Sequence, residues 1–307
     1  MAITGIDAIT YGVTNMDRCR RFLADWGLKR LRASDAAAAY ETLDGSQVII
    51  KPRGDKSLPK AICRGATARE VVWGVSSRAE LGRLRRSLAA NGIEFAEKAG
   101  TLRCTDPAGL GIGFRLSRKR KVKVRGTPMN MVGDRARIDK ASTFYDRARP
   151  VSLGHVVFNV PALEPAERFY RDVLGFHLSD RYPGDAVFLR CKPEGEHHNL
   201  FLLETKDGSA SLNHAAFEVR DLHEIFGGGL HIAGKGWKTA IGPGRHPISS
   251  AYFWYVENPC GGLIEYYSDV DYVTAKWKPR DCARTPENFA EWAVAGGLDA
   301  ATRRQKM

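Results

Sequence analysis

The sequence predicts an α+β fold of four βαβββ modules, paired into two similar domains. Three observations point to it. The chain repeats itself weakly: "GIDAITYGVTNMDRCRRFLADWGL" at 5–28 and "SLGHVVFNVPALEPAERFYRDVLGF" at 152–176 both run apolar strand, short turn, amphipathic helix, glycine stop. A second pair of segments, 69–92 and 212–236, again gives strand, helix and glycine. Matching turns, "DPAG" at 106–109 and "NPCG" at 258–261, then lead into apolar strands.

Taken in order, the modules fall at roughly 3–53, 68–117, 151–205 and 211–269. In the first and third, the helix carries Phe22 and Asp25, or Phe169 and Asp172, at the same spacing, and Gly27 and Gly175 stand at the expected C-cap. The predicted division is a scaffold domain over 1–125, a linker over 126–150 and a second domain over 151–275. A tail over 276–307 comes last, in which "TPENFAEWAVAGG" reads as a short helix capped by Thr285 with Pro286 at its first position.

Bulk properties bound the function. The 307 residues are 43% hydrophobic and 27% charged, as in an ordinary soluble globular protein. No apolar run is long enough to span a bilayer, and the N-terminus lacks the pattern of a secretory signal. The six cysteines are scattered, with no CxxC pair, which predicts reduced thiols and a cytoplasmic location. The net charge of +12 is concentrated partly in "RKRKVKVR", 118–125. Val122 and Val124 alternate with charges there, so the stretch reads as a solvated edge strand or linker. No nucleic-acid-binding signature accompanies it, and neither a nucleic acid nor a membrane is expected as partner.

The halves differ in one respect. All eight histidines lie at or after 155. His155 and His214 each open an otherwise apolar strand, where a buried imidazole needs a partner for each ring nitrogen. The repeat sets Ala8 opposite His155, Glu70 opposite His214 and Gly113 opposite Glu265, so the first half lacks the constellation. Glu265, in "GGLIEYYSD", either faces water on an edge strand or is buried and paired. Two imidazoles and one carboxylate form the facial triad suited to non-haem Fe(II), with Mn(II) and Zn(II) left open by the spacing.

These residues give the chain its resemblance to the type I extradiol ring-cleaving dioxygenases of the vicinal-oxygen-chelate superfamily. The resemblance spans about 3–270 in architecture, with its specific motifs in 152–268. It implies His155, His214 and Glu265 as metal ligands, Fe(II) as the cofactor with Mn(II) possible, and a catechol-type aromatic diol and O2 as reactants. It also implies three catalytic residues. His198, from "EHHNLFLL", would accept and return a proton; His246 and Tyr255, from "GRHPISSAYFWY", would donate hydrogen bonds. On the residues alone, His197–His198 and His246 would read as polar loop positions. The "PISSA" stretch lacks the acidic or amide side chain some relatives carry there. A homo-oligomer is expected. Two alternatives stand beside this reading. One is a glyoxalase-like isomerase, lyase or transferase, which would need a fourth ligand where only Glu204 is at hand. The other is a non-catalytic protein that binds small aromatics.

Overall fold

The computed structural model describes residues 3–298. The first unit is β1 (Ile3–Val13), α1 (Met16–Asp25), β2 (Lys29–Ala33), β3 (Ala38–Glu41) and β4 (Gln47–Pro52). The second is β5 (Thr67–Val75), α2 (Arg78–Ala90), β6 (Phe95–Lys98), β7 (Thr101–Thr105) and β8 (Gly111–Leu116). A short hairpin comes next, β9 (Asn130–Met131) and β10 (Asp134–Arg135). The third unit holds β11 (Ser152–Val160), α3 (Leu163–Arg168) with a π-helical turn over Phe169–Val173, β12 (His177–Tyr182), β13 (Ala186–Arg190), β14 (Gly195–Glu196) and β15 (Leu200–Glu204). The fourth holds β16 (Ser211–Glu218), α4 (Leu222–Gly234), β17 (Thr239–Arg245), β18 (Tyr252–Glu257) and β19 (Leu263–Ser268). Beyond β20 (Tyr272–Val273) lie β21 (Arg280–Asp281), α5 (Pro286–Phe289) and β22 (Trp292–Ala295).

The longer helices α1, α2 and α4 each arise from a capping side chain and an apolar face. Asn15 caps α1 by accepting from the Arg18 amide at 2.9 Å, and the helix buries Cys19, Phe22 and Leu23. Ser77 caps α2, which buries Leu81, Leu84 and Leu88 at helical spacing. Gly27 and Gly175 end their helices at φ +92° and +85°, a conformation open to glycine at little cost.

The first two units build an eight-stranded sheet in the order β2-β3-β4-β1-β5-β8-β7-β6. The other two, with β21 and β22 of the tail, build a ten-stranded sheet, β21-β12-β13-β15-β11-β16-β19-β18-β17-β22. The central pairings correspond: β1 with β5 and β11 with β16 are antiparallel, while β5 with β8 and β16 with β19 are parallel. Register supports the repeat at residue level. His155 faces Ala216, which faces Glu265; Ala8 faces Val72, which faces Gly113. One apolar core joins the halves. At the seam Trp26 stacks on Tyr266, with ring centroids 3.6 Å apart, and the Tyr266 hydroxyl donates to the Trp26 carbonyl at 2.7 Å.

Two sequence expectations change. Residues 118–125 pair as no strand, so of the two readings the edge strand falls and the linker stands; they are tied down by acids of the first half, Lys119 to Asp44 at 3.0 Å and Arg120 to Glu41 at 3.0 Å. The tail helix is a single turn, capped by Thr285 as expected. Trp292–Ala295 leaves it to pair with the open edge of β17. Ladder hydrogen bonds on a free edge outweigh the helix propensity that the two alanines of the Trp-Ala-Val-Ala run supply. The end of the predicted tail, 299–307, lies outside the described residues. No helix among the described residues is long and apolar enough to cross a membrane.

Candidate metal centre

Register assembles the site. Residues directly opposite on neighbouring strands share a face, as do residues two apart on one strand. His155 on β11, Ala216 on β16, Glu265 on β19 and Tyr255 on β18 therefore form one row, with His214 two residues along from Ala216. Small, fully buried Ala216 leaves room between its long neighbours. A bulge at Gly154 steps the β11 register immediately before His155 and sets the direction of that side chain. The same irregularity precedes Ala8 in β1. Gly154 is also required sterically, because a Cβ there would collide with the Tyr267 hydroxyl, whose ring lies 4.9 Å from that of His155.

The three ligand-type atoms converge. Glu265 Oε2 lies 3.1 Å from His155 Nε2 and 3.2 Å from His214 Nε2, and the two nitrogens are 3.4 Å apart. All three residues are buried, and Glu265 sits on an internal strand, 1% exposed, so the water-facing alternative does not hold. Burial would raise the Glu265 carboxyl, but contacts with His155, His214 and His246 hold it well below the usual carboxylate range. Burial lowers His155 and keeps that ring neutral. The His214 Nδ1–H donates to Asn213 Oδ1 at 2.9 Å, which turns the Nε2 lone pair toward the Glu265 oxygen. Two imidazole lone pairs and a carboxylate oxygen aimed at one buried point fit a divalent transition-metal ion.

The other predicted residues surround this point. The His198 ring centroid lies 4.2 Å from that of His155, and burial drives its pKa well below the ordinary value. His197 and His198 are both buried, which corrects the polar-loop alternative. His246 Nδ1–H donates to the Phe289 carbonyl at 2.6 Å, so Nε2 is the acceptor for the Tyr255 hydroxyl at 3.0 Å. Burial and the nearby Glu265 carboxylate raise Tyr255 well above its ordinary value, which keeps it a phenol and a donor. A cavity of about 660 Å³ opens onto the row. Its far wall is apolar: Phe188 and Phe201 are stacked at 3.8 Å, with Tyr182, Ile248 and Phe289 beside them.

Several contributors carry no sequence signal. Ala216 and Gly154 act by being small, and the Phe289 carbonyl is backbone. Asp180 looks like one more polar residue of a strand, yet it is fully buried and accepts from His197 Nε2 at 2.8 Å. In the first half the corresponding positions hold Glu70 in an ion pair with Arg103 at 2.7 Å, and Arg103 faces Gly113 as Tyr255 faces Glu265.

Comparison with known proteins agrees with this geometry. Residues 152–266 match the family described as the Glyoxalase/Bleomycin resistance protein/Dioxygenase superfamily. The chain is 28% identical over 306 residues to Metapyrocatechase 2 of Cupriavidus necator, covering 95% of this chain and 89% of that protein. It is 26% identical to the Iron-dependent extradiol dioxygenase of Rhodococcus jostii (strain RHA1), over 87% of this chain and 89% of that one. Among solved structures, the Mn(II)-bound glyoxalase from Novosphingobium aromaticivorans shares the fold. The TM-score is 0.76 at 23% identity, with 96% of this chain and 93% of that chain covered.

Proposed function

We propose, from the premise that residues 152–266 form a glyoxalase/vicinal-oxygen-chelate domain and that curated relatives are extradiol dioxygenases, that this chain cleaves the ring of a catechol-type diol with O2. The observation that carries the reading is the row His155–Ala216–Glu265, with His214 beside it, at the closed end of an apolar cavity rimmed by His198, His246 and Tyr255. In this reading 151–275 is the catalytic part and 1–125 the scaffold.

His155, His214 and Glu265 would hold Fe(II), with Mn(II) suited to the same donors. Bound there, the ion supplies Lewis acidity toward the diol and a redox centre beside it. The remaining chemistry belongs to the chain. His198, neutral and on the cavity side, accepts a diol proton and returns it as the ring opens. Tyr255 is the donor of its pair with His246, and the same hydroxyl proton would turn from His246 Nε2 to oxygen on the reacting side. Phe188 and Phe201 offer a flat apolar wall that orients an aromatic ring and excludes water. The C–C bond beside the diol breaks, and both atoms of O2 enter the product.

Against the isomerase alternative, Glu204 is spent elsewhere: its Oε2 accepts from the Leu163 amide at the start of α3, at 2.6 Å. The test is oxygen uptake by Fe(II)-loaded protein against substituted catechols, with a yellow ring-opened product expected. His198→Gln is expected to keep its iron but lose roughly 10²–10⁴ in turnover. No uptake with any diol by loaded protein would overturn the reading. Association of identical copies is also expected. The arm over 129–144 leaves Val132 98% and Phe144 90% exposed, more apolar surface than a short arm usually gives to water. Light scattering showing only monomer at micromolar concentration would contradict that.

A further inference from the structure

We propose that Asp180 and Arg280, acting through the buried ring of His197, fix His198 as the tautomer with its proton on Nδ1 and its Nε2 lone pair offered to the bound diol. The inference rests on the proposed ring cleavage and names the positioning residues behind its base. It starts from Asp180, which has no exposed surface. Its Oδ2 accepts from Arg280 Nη2 at 2.6 Å, Arg280 Nε at 3.0 Å and His197 Nε2 at 2.8 Å. Its Oδ1 accepts from the Arg280 amide at 2.8 Å. A carboxylate ringed by donors can only accept, so His197 places its proton on Nε2. Arg280 already supplies the positive partner, and the pairing asks for no charge on His197.

The polarity then passes along the rings. With its proton on Nε2, His197 has only a lone pair at Nδ1, and that atom lies 3.2 Å from His198 Nδ1. One of two facing nitrogens must donate, and here it is His198. Its Nδ1–H is used, and Nε2, at the opposite edge of a ring that lines the cavity, is left bare. Inverting the polarity at Asp180 would place a proton on that Nε2 and turn a base into a donor. The device draws on the chain's tail, since Arg280 belongs to β21 and stacks on Trp277, its guanidinium 4.8 Å from the ring centroid. None of these partners belongs to the ligand row, so they act on His198 by orientation alone.

The test reads nitrogen chemistry and turnover separately. In ¹⁵N-histidine spectra of Zn(II)-loaded protein, both His197 and His198 are expected as single tautomers, His197 with Nδ1 bare and His198 with Nε2 bare. The opposite assignment for either ring overturns the proposal. His197→Phe removes the acceptor while still filling the site, and kcat is expected to fall on the order of 10²-fold with bound iron retained and KM little changed. His197→Asn, whose Oδ1 stands where Nδ1 was, should restore most of that loss. Combining His197→Phe with His198→Gln should cost no more than His198→Gln alone. Additive losses, or no rescue by Asn, would mean that His197 only supports the fold. Should the wild-type protein open no diol, the functional reading fails, while the nitrogen spectra still decide this inference.

Discussion

Ala216 contributes no atom to a ligand set, yet the row depends on it. Strands in a sheet lie about 4.8 Å apart, so His155 and Glu265, one strand either side of Ala216, meet only if the position between them is small. Ala216→Leu keeps every ligand and fills the space they share. Bound metal, measured by elemental analysis after dialysis, is expected to fall at least about tenfold, the scale seen when groups around metal ligands are changed, while the circular dichroism spectrum stays native. Full metal content would show that the ion does not sit over this position. At this scale the sequence is legible where chemistry interrupts a pattern. His155, His214 and Glu265 stand out because each breaks an apolar run, and the repeat supplies each with a silent counterpart. Asp180 and the Phe289 carbonyl stay hidden because their burial depends on what packs over them, a tertiary fact that no local pattern records.

At the scale of elements, the two halves are pinned by a buried acid. Asp106, in the turn between β7 and β8, accepts from the Tyr170 hydroxyl of the π-helical turn at 2.9 Å and from the amides of Ala108 and Leu110. Burial dominates and raises its carboxyl from 3.8 to about 6. A raised carboxyl binds its proton more tightly folded than unfolded, so its contribution favours the fold below about pH 4 and is lost as pH rises through 6. The full effect is roughly 3 kcal/mol, of which roughly 2 kcal/mol separates pH 4.5 from pH 7.5. Urea unfolding should show the wild type gaining about that much over Asp106→Asn as pH falls across this range; a constant difference would remove Asp106 from the pH dependence. The DPAG turn itself is legible, since Asp-Pro-x-Gly names a turn type. Its burial is not, because the covering element lies 64 residues away in sequence. The tail departs from its predicted helix for a related reason. Capping signals at Thr285 and Pro286 start a helix correctly, but its length is decided by an edge strand that only the assembled sheet provides.

At the scale of the molecule, one tail segment pairs with both edges of one sheet. β21 adds to β12 at one end of the ten-stranded order and β22 adds to β17 at the other. The stretch between them supplies Arg284, Thr285, Pro286 and Phe289 to the cavity wall and the carbonyl that orients His246. It works as a strap, running from one end of the sheet to the other and covering two edges that would otherwise be free to pair with other chains. Glu291→Pro removes the amide that donates to the Arg245 carbonyl at 2.9 Å. Iron content should be retained, KM for the diol should rise about tenfold or more, and trypsin should gain access to Arg284. Unaltered KM and protease resistance would show that the strap does not depend on this edge. Among the described residues, the corresponding strands of the first half, β2 and β6, carry no such cover, which places the extra closure only where the ligand row is.

The strap also gives the molecule an order of completion during synthesis. Every residue of the row lies before 266, and every residue of the strap after 275, so the eight inner strands of the sheet leave the ribosome before the strap does. Until the strap docks, the cavity lacks the wall that Arg284, Thr285, Pro286 and Phe289 supply. The last part of the chain to be made is thus the part that gives the cavity its final shape.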